Sequence, residues 1–293
     1  MKKLHLTFIA FLMLISVHAQ YGITKKRKPE AEIIKTLPLL VVLHDYDDPL
    51  YQRMRVDLKE AMQKYWYYSE DITFVSKDEL REYEKDKLKR DNYAYLMFSE
   101  KLYRANVPAG CFCIGLLNKK TFTHFKKFGN YDEKLTMADY KQGLYWLQKD
   151  LETVFDAKTW KENNQNTIKA FRENVETSTL LVDESLVTDD LKDQMESVYS
   201  YNYKIVTKEE IDRAIMSSSP NILYTKPYNY LSRPLVKSND EGHSLASMRD
   251  NVNVVVLNYV YSAENNQPLA AFKTKANKKT TLKHFKKGLK VLK

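Results

Sequence analysis

The densest group of chemically active side chains follows a short apolar run near residue 40. The sequence there reads His44-Asp45-Tyr46-Asp47-Asp48. Carboxylates and an imidazole in this arrangement can hold a divalent metal ion or position a nucleophile. In a parallel α/β sheet, ligands bind beyond the carboxyl ends of the strands, which is where these residues are expected. We therefore take His44, Asp45 and Asp47 as candidate ligand-binding residues.

The same segment resembles the first motif of the haloacid-dehalogenase-type phosphohydrolases, which is an apolar strand ending in Asp-x-Asp. The matching residues are Val41-Val42-Leu43-His44-Asp45-Tyr46-Asp47. The resemblance implies a metal-assisted hydrolase with Asp45 as nucleophile and Asp47 as acid–base residue. Pro49 stands where that family has Thr or Val, and no Gly-Asp-x-x-x-Asp motif follows. We favour a simpler interpretation, because an aspartate such as Asp48 before a helix is favoured as its cap.

Other catalytic and cofactor motifs are missing from the sequence. The seven glycines never form G-x-G-x-x-G, and Leu116-Leu117 follow Gly110 and Gly115 where a P-loop needs Lys-Ser or Lys-Thr. The sequence also contains neither H-E-x-x-H nor G-x-S-x-G. We expect no catalytic residue, no metal and no cofactor, and a non-catalytic protein rather than an enzyme.

Cys111 and Cys113 are the two cysteines of the chain. On a strand they face the same side. Two thiols cannot complete a four-ligand zinc site, and a direct disulfide between them would be strained. We expect buried free thiols and no disulfide, the disulfide being the alternative in an oxidising compartment.

The chain is rich in tyrosine, with 21 residues. They cluster in three places, which are 65–68 with Trp66 included, 199–203, and 224–230. Exposed tyrosines suit the recognition of proteins or sugars, whereas buried ones pack helix ends and strand edges. We take Tyr224, Tyr228 and Tyr230 as further candidate ligand-binding residues.

The elements that must position these residues occur twice along the chain. Residues 74–80 read Phe-Val-Ser-Lys-Asp-Glu-Leu, and residues 205–211 read Ile-Val-Thr-Lys-Glu-Glu-Ile. An Asp-Leu-Lys-x-x-Met pattern recurs at 57–62 and 190–195. Each half reads as strand, helix, strand, helix, strand, strand, helix. The sequence predicts an α/β protein of two tandem related Rossmann-like three-layer domains, an internal duplication, each domain with a mainly parallel sheet.

The end of the repeat can be aligned in two ways that exclude each other. Gly-Leu-x-x-Leu recurs at 143–147 and 288–292, whereas His-Phe-Lys-Lys recurs at 124–127 and 284–287. We favour the first alignment because it keeps a helix in the same place in both halves.

These signals divide the chain into segments. We predict a signal peptide over 1–19, a basic N-terminal linker over 20–36, repeat 1 over 37–155, a linker or connecting helix over 156–176, and repeat 2 over 177–293 with a polar insertion over 232–251. The Val252–Tyr261 and Leu269–Thr274 segments predict a hairpin.

The first residues have the pattern of a secretory signal. Met1-Lys2-Lys3 is a basic start, a mainly apolar run ends at Val17, and small or medium-sized residues precede Gln20. We expect cleavage before Gln20 and a periplasmic or extracellular protein. No cysteine follows the cleavage site, so we do not expect a lipoprotein.

The formal net charge of +9 comes from the ends of the chain. Residues 20–272 carry 36 basic and 38 acidic residues, and the last 21 residues carry nine lysines and no acid. This distribution argues against a nucleic-acid groove in the fold. The basic ends can instead contact an anionic surface. Their residues are Lys25, Lys26, Arg27, Lys28, Lys286 and Lys287.

The favoured function is a secreted or periplasmic binding or assembly module of the cell envelope, with an envelope protein or glycan as partner. Two alternatives remain. One is the metal-assisted hydrolase with Asp45 and Asp47 in its site. The other is a two-lobed periplasmic solute-binding protein, with a cleft between the domains.

Overall fold

The computed structural model describes residues 23–44, 47–101, 108–119, 124–127, 135–155, 169, 172–232 and 253–275. The described residues divide into two compact units. The N-terminal unit contains those up to 155, and the C-terminal unit contains those from 169 onward. Each unit is an α/β structure with a mixed sheet and helices packed on it.

In the N-terminal unit, helices and strands alternate first and consecutive strands follow. Its described elements are β1 (Ile23–Thr24), α1 (Lys28–Thr36), β2 (Leu39–Val42), α2 (Pro49–Tyr65), β3 (Ile72–Val75), α3 (Lys77–Lys85), α4 (Lys87–Asp91), β4 (Ala94–Lys101), β5 (Pro108–Leu116), β6 (His124–Lys127), α5 (Met137–Glu152) and β7 (Val154–Phe155).

The main sheet of this unit has the order β3-β2-β4-β5-β6. β2 pairs in parallel with β3 and β4, whereas β4, β5 and β6 pair antiparallel. The sheet is therefore mixed rather than mainly parallel as predicted. The reason is the length of the connections, because 102–107 and 117–123 are shorter than the dozen or so residues of a parallel crossover.

Local sequence signals explain where the first helices begin. The Asp48 carboxylate accepts a hydrogen bond from the Leu50 amide, and Pro49 occupies the first turn of α2. Ser76 and Glu79 form a complete capping box at the start of α3, as their spacing predicts.

The two faces of the sheet carry separate apolar clusters. Leu39 and Val41 face α1, α2 and α5, which contribute buried residues to the larger cluster. Leu40 and Val42 point the other way, toward a smaller cluster that includes Leu80 of α3. Helices thus cover the sheet on both sides.

The segment assigned to a basic linker contains a helix. α1 buries Ala31 and Ile34 in the larger cluster of the N-terminal unit. Just before it, β1 pairs in parallel with β7, which joins Ile23 to Val154. The start and the end of the described N-terminal unit are therefore hydrogen-bonded to each other.

The C-terminal unit has the same alternation of elements. Residues 172–175 are helical, and the labelled elements are β8 (Thr179–Asp183), α6 (Asp189–Val198), β9 (Tyr203–Val206), α7 (Lys208–Met216), β10 (Ile222–Ser232), β11 (Asn253–Ser262) and β12 (Pro268–Lys275). The last predicted helix, with Leu282, Phe285, Leu289 and Leu292 on one side, lies outside the described residues.

The sheet of the C-terminal unit has the order β9-β8-β10-β11-β12. β8 is parallel to β9 and β10, and the predicted hairpin is confirmed as the antiparallel pair β11 and β12. Asn266 in its turn has a φ of 54°, in the left-handed region that asparagine tolerates. Thr207 and Glu210 form the predicted capping box of α7.

The two sheets share strand order and register. When only the strands of each five-stranded sheet are counted in chain order, they lie in the order second, first, third, fourth, fifth. Leu39 is paired with Ile72 on one side and with Ala94 on the other. In the same way, Leu180 is paired with Tyr203 and with Leu223.

Candidate functional site

The first group of predicted site residues lies in the loop between β2 and α2. His44 is half-buried, with its ring centroid 5.5 Å from that of Tyr51 and 6.3 Å from that of Phe98. Its carbonyl oxygen accepts a hydrogen bond from Arg55 Nη1 at 3.1 Å. The ring therefore packs against aromatic side chains, while Arg55 anchors the backbone of the loop.

The described aspartates of this loop order the beginning of α2. Asp47 Oδ1 accepts a hydrogen bond from Gln52 Nε2 at 2.8 Å, and Asp48 Oδ1 accepts one from the Leu50 amide at 2.7 Å. Asp45 lies outside the described residues. Among the residues that are described, no three His, Cys, Asp or Glu side chains form a group that could hold a metal ion.

The predicted tyrosines of β10 belong to the other unit. Tyr224 is completely buried, its ring lies 5.2 Å from that of Tyr261, and its hydroxyl donates to Asn266 Oδ1 at 3.2 Å. It therefore packs in the interior instead of forming a binding surface. The backbones of Tyr228 and Tyr230 pair with residues of β11.

The N-terminal basic residues border α1. Lys25 and Lys26 are exposed in the turn after β1. Arg27 lies 2.6 Å from Glu30, and Lys28 lies 3.6 Å from Glu32, so α1 partly neutralises this basic group. Lys286 and Lys287 lie outside the described residues.

A different group of side chains forms a surface on the N-terminal unit. We define the tyrosine–lysine surface as Tyr65, Tyr67, Tyr145, Lys141 and Lys149. Lys141 Nζ lies 5.7 Å from the ring centroid of Tyr65, and Lys149 Nζ lies 5.9 Å from the centroids of both Tyr67 and Tyr145. These distances are within the range of cation–π attraction. Tyr67 is 53% exposed, so aromatic and cationic groups meet at an accessible place.

A buried glutamine fixes the backbone beneath this surface. Gln148 Oε1 accepts hydrogen bonds from the amides of Tyr67 at 2.6 Å and Tyr68 at 3.1 Å. Its Nε2 donates to the carbonyl oxygens of Tyr65 at 3.0 Å and Leu144 at 3.1 Å. Gln148 is fully buried, and these four bonds satisfy its amide group completely. The exposed Tyr67 therefore stands on a rigid support.

Burial and the neighbouring Glu152 carboxylate shift the pKa values of three residues of this surface. Burial raises the pKa of Tyr67, and the nearby Glu152 carboxylate adds to the rise. The hydrogen bond to Glu152 raises the pKa of Lys149, whereas burial lowers the pKa of Lys141. The Lys149–Glu152 pair, at 2.8 Å, holds the ammonium group beside the two rings.

The sequence indicated two of the five residues of this surface, Tyr65 and Tyr67. The run over 65–68 already marked tyrosines at the end of a predicted helix. The residues from α5 were missed because Lys141, Tyr145 and Lys149 read as the solvated side of an ordinary helix. Their spacing of four places them on one helix face, and that spacing is the signal that was available.

The cysteines lie on β5 with their side chains on one face. Cys111 and Cys113 are buried, and their Sγ atoms are 3.8 Å apart. Met97 on β4 is the direct cross-strand partner of Cys113.

Comparison with protein-family models, with curated proteins and with solved structures finds no match to this chain. Across the described residues, no helix combines the length and the apolar character needed to cross a membrane.

Proposed function

We propose that this protein is an exported, non-catalytic binding module of the cell envelope. The pattern of the first 19 residues supports export, and the tyrosine–lysine surface supports binding. The loop after β2 favours this function over a hydrolase, because Asp47 and Asp48 are engaged in ordering α2.

The tyrosine–lysine surface is the observation that carries the proposal. Tyrosine offers a large, rigid contact area with a polar tip. Lysine is depleted from protein–protein interfaces, whereas an ammonium group is well suited to a polyanion. The partner that this combination fits best is an anionic glycan, whose sugar rings pack on the tyrosines and whose acidic groups meet Lys141 and Lys149.

The test measures binding of the purified protein to a soluble polyuronate, with neutral dextran as the comparison polymer. Titrations are run at about 0.15 M salt, where long-range attraction is largely screened. We expect Tyr67→Ala and Lys149→Gln each to weaken polyuronate binding about tenfold or more, as for a central interface residue. Tyr201→Ala is the matched control, since Tyr201 is a 41% exposed tyrosine of the C-terminal unit.

Two outcomes would contradict this assignment. One is equal binding by the unaltered protein and both surface variants. The other is loss of binding only when Lys286 and Lys287 are changed to Gln, which would assign it to the basic end. Capture of an acidic protein without polyuronate binding would replace the glycan with a protein partner.

Export has its own test. Mass spectrometry of the envelope fraction should find a mature chain that begins at Gln20. A full-length chain confined to the cytoplasm would remove the envelope from the proposal.

We further propose that the two units arose by duplication of one Rossmann-like three-layer domain. The support is the shared register, which extends to the last strands. Ile114 pairs with His124, and its counterpart Val260 pairs with Ala270. β6 thus corresponds to β12, in agreement with the Gly-Leu alignment of the tail. An experimental structure in which residues 74–80 and 205–211 occupy different elements would contradict the duplication.

A further inference from the structure

Sulfur is concentrated at one place in the N-terminal sheet. Both cysteines of the chain lie there, at 2% and 4% exposure, with their Sγ atoms 3.8 Å apart. Met97 is directly opposite Cys113 and packs against the smaller apolar cluster. Directly opposed residues on antiparallel strands have Cβ atoms about 4.5–5.5 Å apart, so the thioether is within reach of the two thiols.

The C-terminal unit shows that the sheet does not require sulfur at this place. By register, Cys113 corresponds to Tyr259 and Met97 corresponds to Lys226, which is the partner of Tyr259. The same backbone frame thus accepts a bulky aromatic and a charged residue at these two positions. The cluster of sulfur atoms therefore belongs to the N-terminal unit, and the strand arrangement that the two units share does not require it.

We propose that Cys111, Cys113 and Met97 form a binding site for one Cu(I) ion. Thiolate and thioether sulfurs are soft ligands that select Cu(I), whereas a structural zinc ion needs four ligands. With metal–sulfur bonds of about 2.3 Å, three sulfurs spaced evenly around an ion stand about 4.0 Å apart. The observed 3.8 Å between the thiols is close to that spacing. This site is independent of the proposed glycan surface.

Binding must displace protons, because a thiol is protonated at neutral pH and only the thiolate binds a metal ion. Two S–H bonds break, two S–Cu bonds form, and two protons leave to solvent. Copper remains Cu(I), so no oxidant or reductant takes part. The affinity for Cu(I) should therefore rise about 100-fold for each unit by which the pH increases, as long as both thiols are protonated before binding.

We expect the ion to reach the buried site by local opening at the end of the β4–β5 pair. The partner of Cys111 is Ser99, and the register of the two strands shifts between Ser99 and Lys101. The irregular ladder weakens the β4–β5 pairing beside Cys111, while Cys111 stays paired with Lys127 of β6.

The experiment titrates the full chain with Cu(I) without oxygen, against a competing chelator, at several pH values. We expect one ion per chain and the release of two protons. Cys111→Ser and Cys113→Ser should each lower the affinity about 100-fold or more, and Met97→Leu about tenfold. Met195→Leu, a buried methionine of the C-terminal unit, is the control and should change nothing.

Several results would overturn the proposal. They are the absence of binding, equal affinity in a single-cysteine variant, and an affinity that does not change with pH. Because the cysteine variants can fail to fold, X-ray absorption of the unaltered protein with one Cu(I) provides a second measurement. A shell of sulfur atoms alone supports the site, and a shell of nitrogen or oxygen overturns it. If Met97→Leu and Met195→Leu bind equally, Met97 is not a ligand.

Discussion

The sheets of the two units have the same hydrogen-bond register, and yet the residues at matching positions differ in kind. Val42 is buried among aliphatic side chains, whereas its counterpart Asp183 is buried with its carboxylate bonded to the amide and hydroxyl of Ser185. Gly115 faces Tyr95 in one sheet, and Tyr261 faces Tyr224 in the other. Backbone pairing therefore defines the frame, while the side-chain layers determine what each unit can bind.

The starts of α3 and α7 show the opposite pattern, because there the two units use the same device. Ser76 and Thr207 cap α3 and α7 through the same box. Tyr68 and Tyr199 are both buried. Tyr68 lies three residues before Asp71, whose carbonyl oxygen accepts a hydrogen bond from the amide of Leu39. Tyr199 lies three residues before Asn202, whose carbonyl oxygen accepts one from the amide of Leu180. Local signals are repeated, and long-range packing differs.

The largest expected effect on stability comes from giving Val42 and Asp183 each other's residue type in two separate variants. Val42→Asp places a carboxylate without a partner in an apolar cluster, so we expect a loss of about 3–5 kcal/mol. Asp183→Val removes one cap and should cost about 1 kcal/mol. Denaturant unfolding followed by tryptophan fluorescence reports the first variant, because Trp66 and Trp146 lie in the N-terminal unit. Circular dichroism reports the second, and equal losses would show that the two environments are alike.

Gln148 tests the support beneath Tyr67 and Tyr68. Gln148→Leu removes the buried hydrogen-bond acceptor of the backbone amides of Tyr67 and Tyr68. We expect the N-terminal unit to lose about 3 kcal/mol in denaturant unfolding. Gln52→Leu is the control, since Gln52 is exposed and should change stability by less than about 0.5 kcal/mol. Equal effects would argue that the four hydrogen bonds of Gln148 contribute little.

Tyr68 predicts a dependence of stability on alkaline pH. Burial raises its pKa to about 12, and its hydroxyl donates to the Ala31 carbonyl at 3.0 Å. The stability that the neutral phenol provides is complete below pH 10 or so, the ordinary tyrosine pKa, and is lost as the pH rises through 12. Tyr68→Phe should cost about 1–2 kcal/mol at neutral pH and flatten this alkaline loss. Unfolding curves between pH 8 and 12 or so measure both effects.

Tyr199→Phe tests in the C-terminal unit the same alkaline loss of stability that Tyr68→Phe tests in the N-terminal unit. Burial raises the pKa of Tyr199 as well, so this variant should also flatten the alkaline loss. An unchanged pH profile in both variants would contradict the role given to these phenols.

The smallest effects are expected at the capping boxes. Ser76→Ala and Thr207→Ala should each cost about 1 kcal/mol, because each leaves a helix amide without its acceptor. Thermal unfolding should show similar losses for the two variants. A loss in only one of them would mean that the shared sequence signal does not have a shared energetic role.

Local chemistry made much of the fold predictable. Ser76 with Glu79, and Asp48 with Pro49, marked helix starts that the structure contains. Tyr140, Leu144, Leu147 and Leu151 have the spacing of one helix face, and they are buried in the N-terminal core. The direction of β5 was not predictable from its own residues, because an apolar strand of this kind suits either pairing.

The candidate site was less predictable, since burial depends on distant partners. Tyr224 and Tyr67 have the same side chain and similar tyrosine-rich neighbours in the sequence. Tyr224 is covered by Tyr261, which is far along the chain, whereas Tyr67 follows a helix end and remains exposed. The contribution of α5 to the tyrosine–lysine surface likewise depends on Gln148, about 80 residues from Tyr67 and Tyr68.

The pairing of β1 with β7 has a consequence for the order of folding. The pair joins Ile23 to Val154, so it closes a loop that contains almost the whole N-terminal unit. A chain that emerges N-terminus first cannot complete this unit until residues 154–155 are free, although β2 and α2 are available much earlier. Closing so long a loop is slow, and the first strand must wait with its hydrogen-bonding groups unpaired. Completion of the N-terminal unit is therefore a late event, because the β1–β7 pair can form only after residues 154–155 have been synthesised.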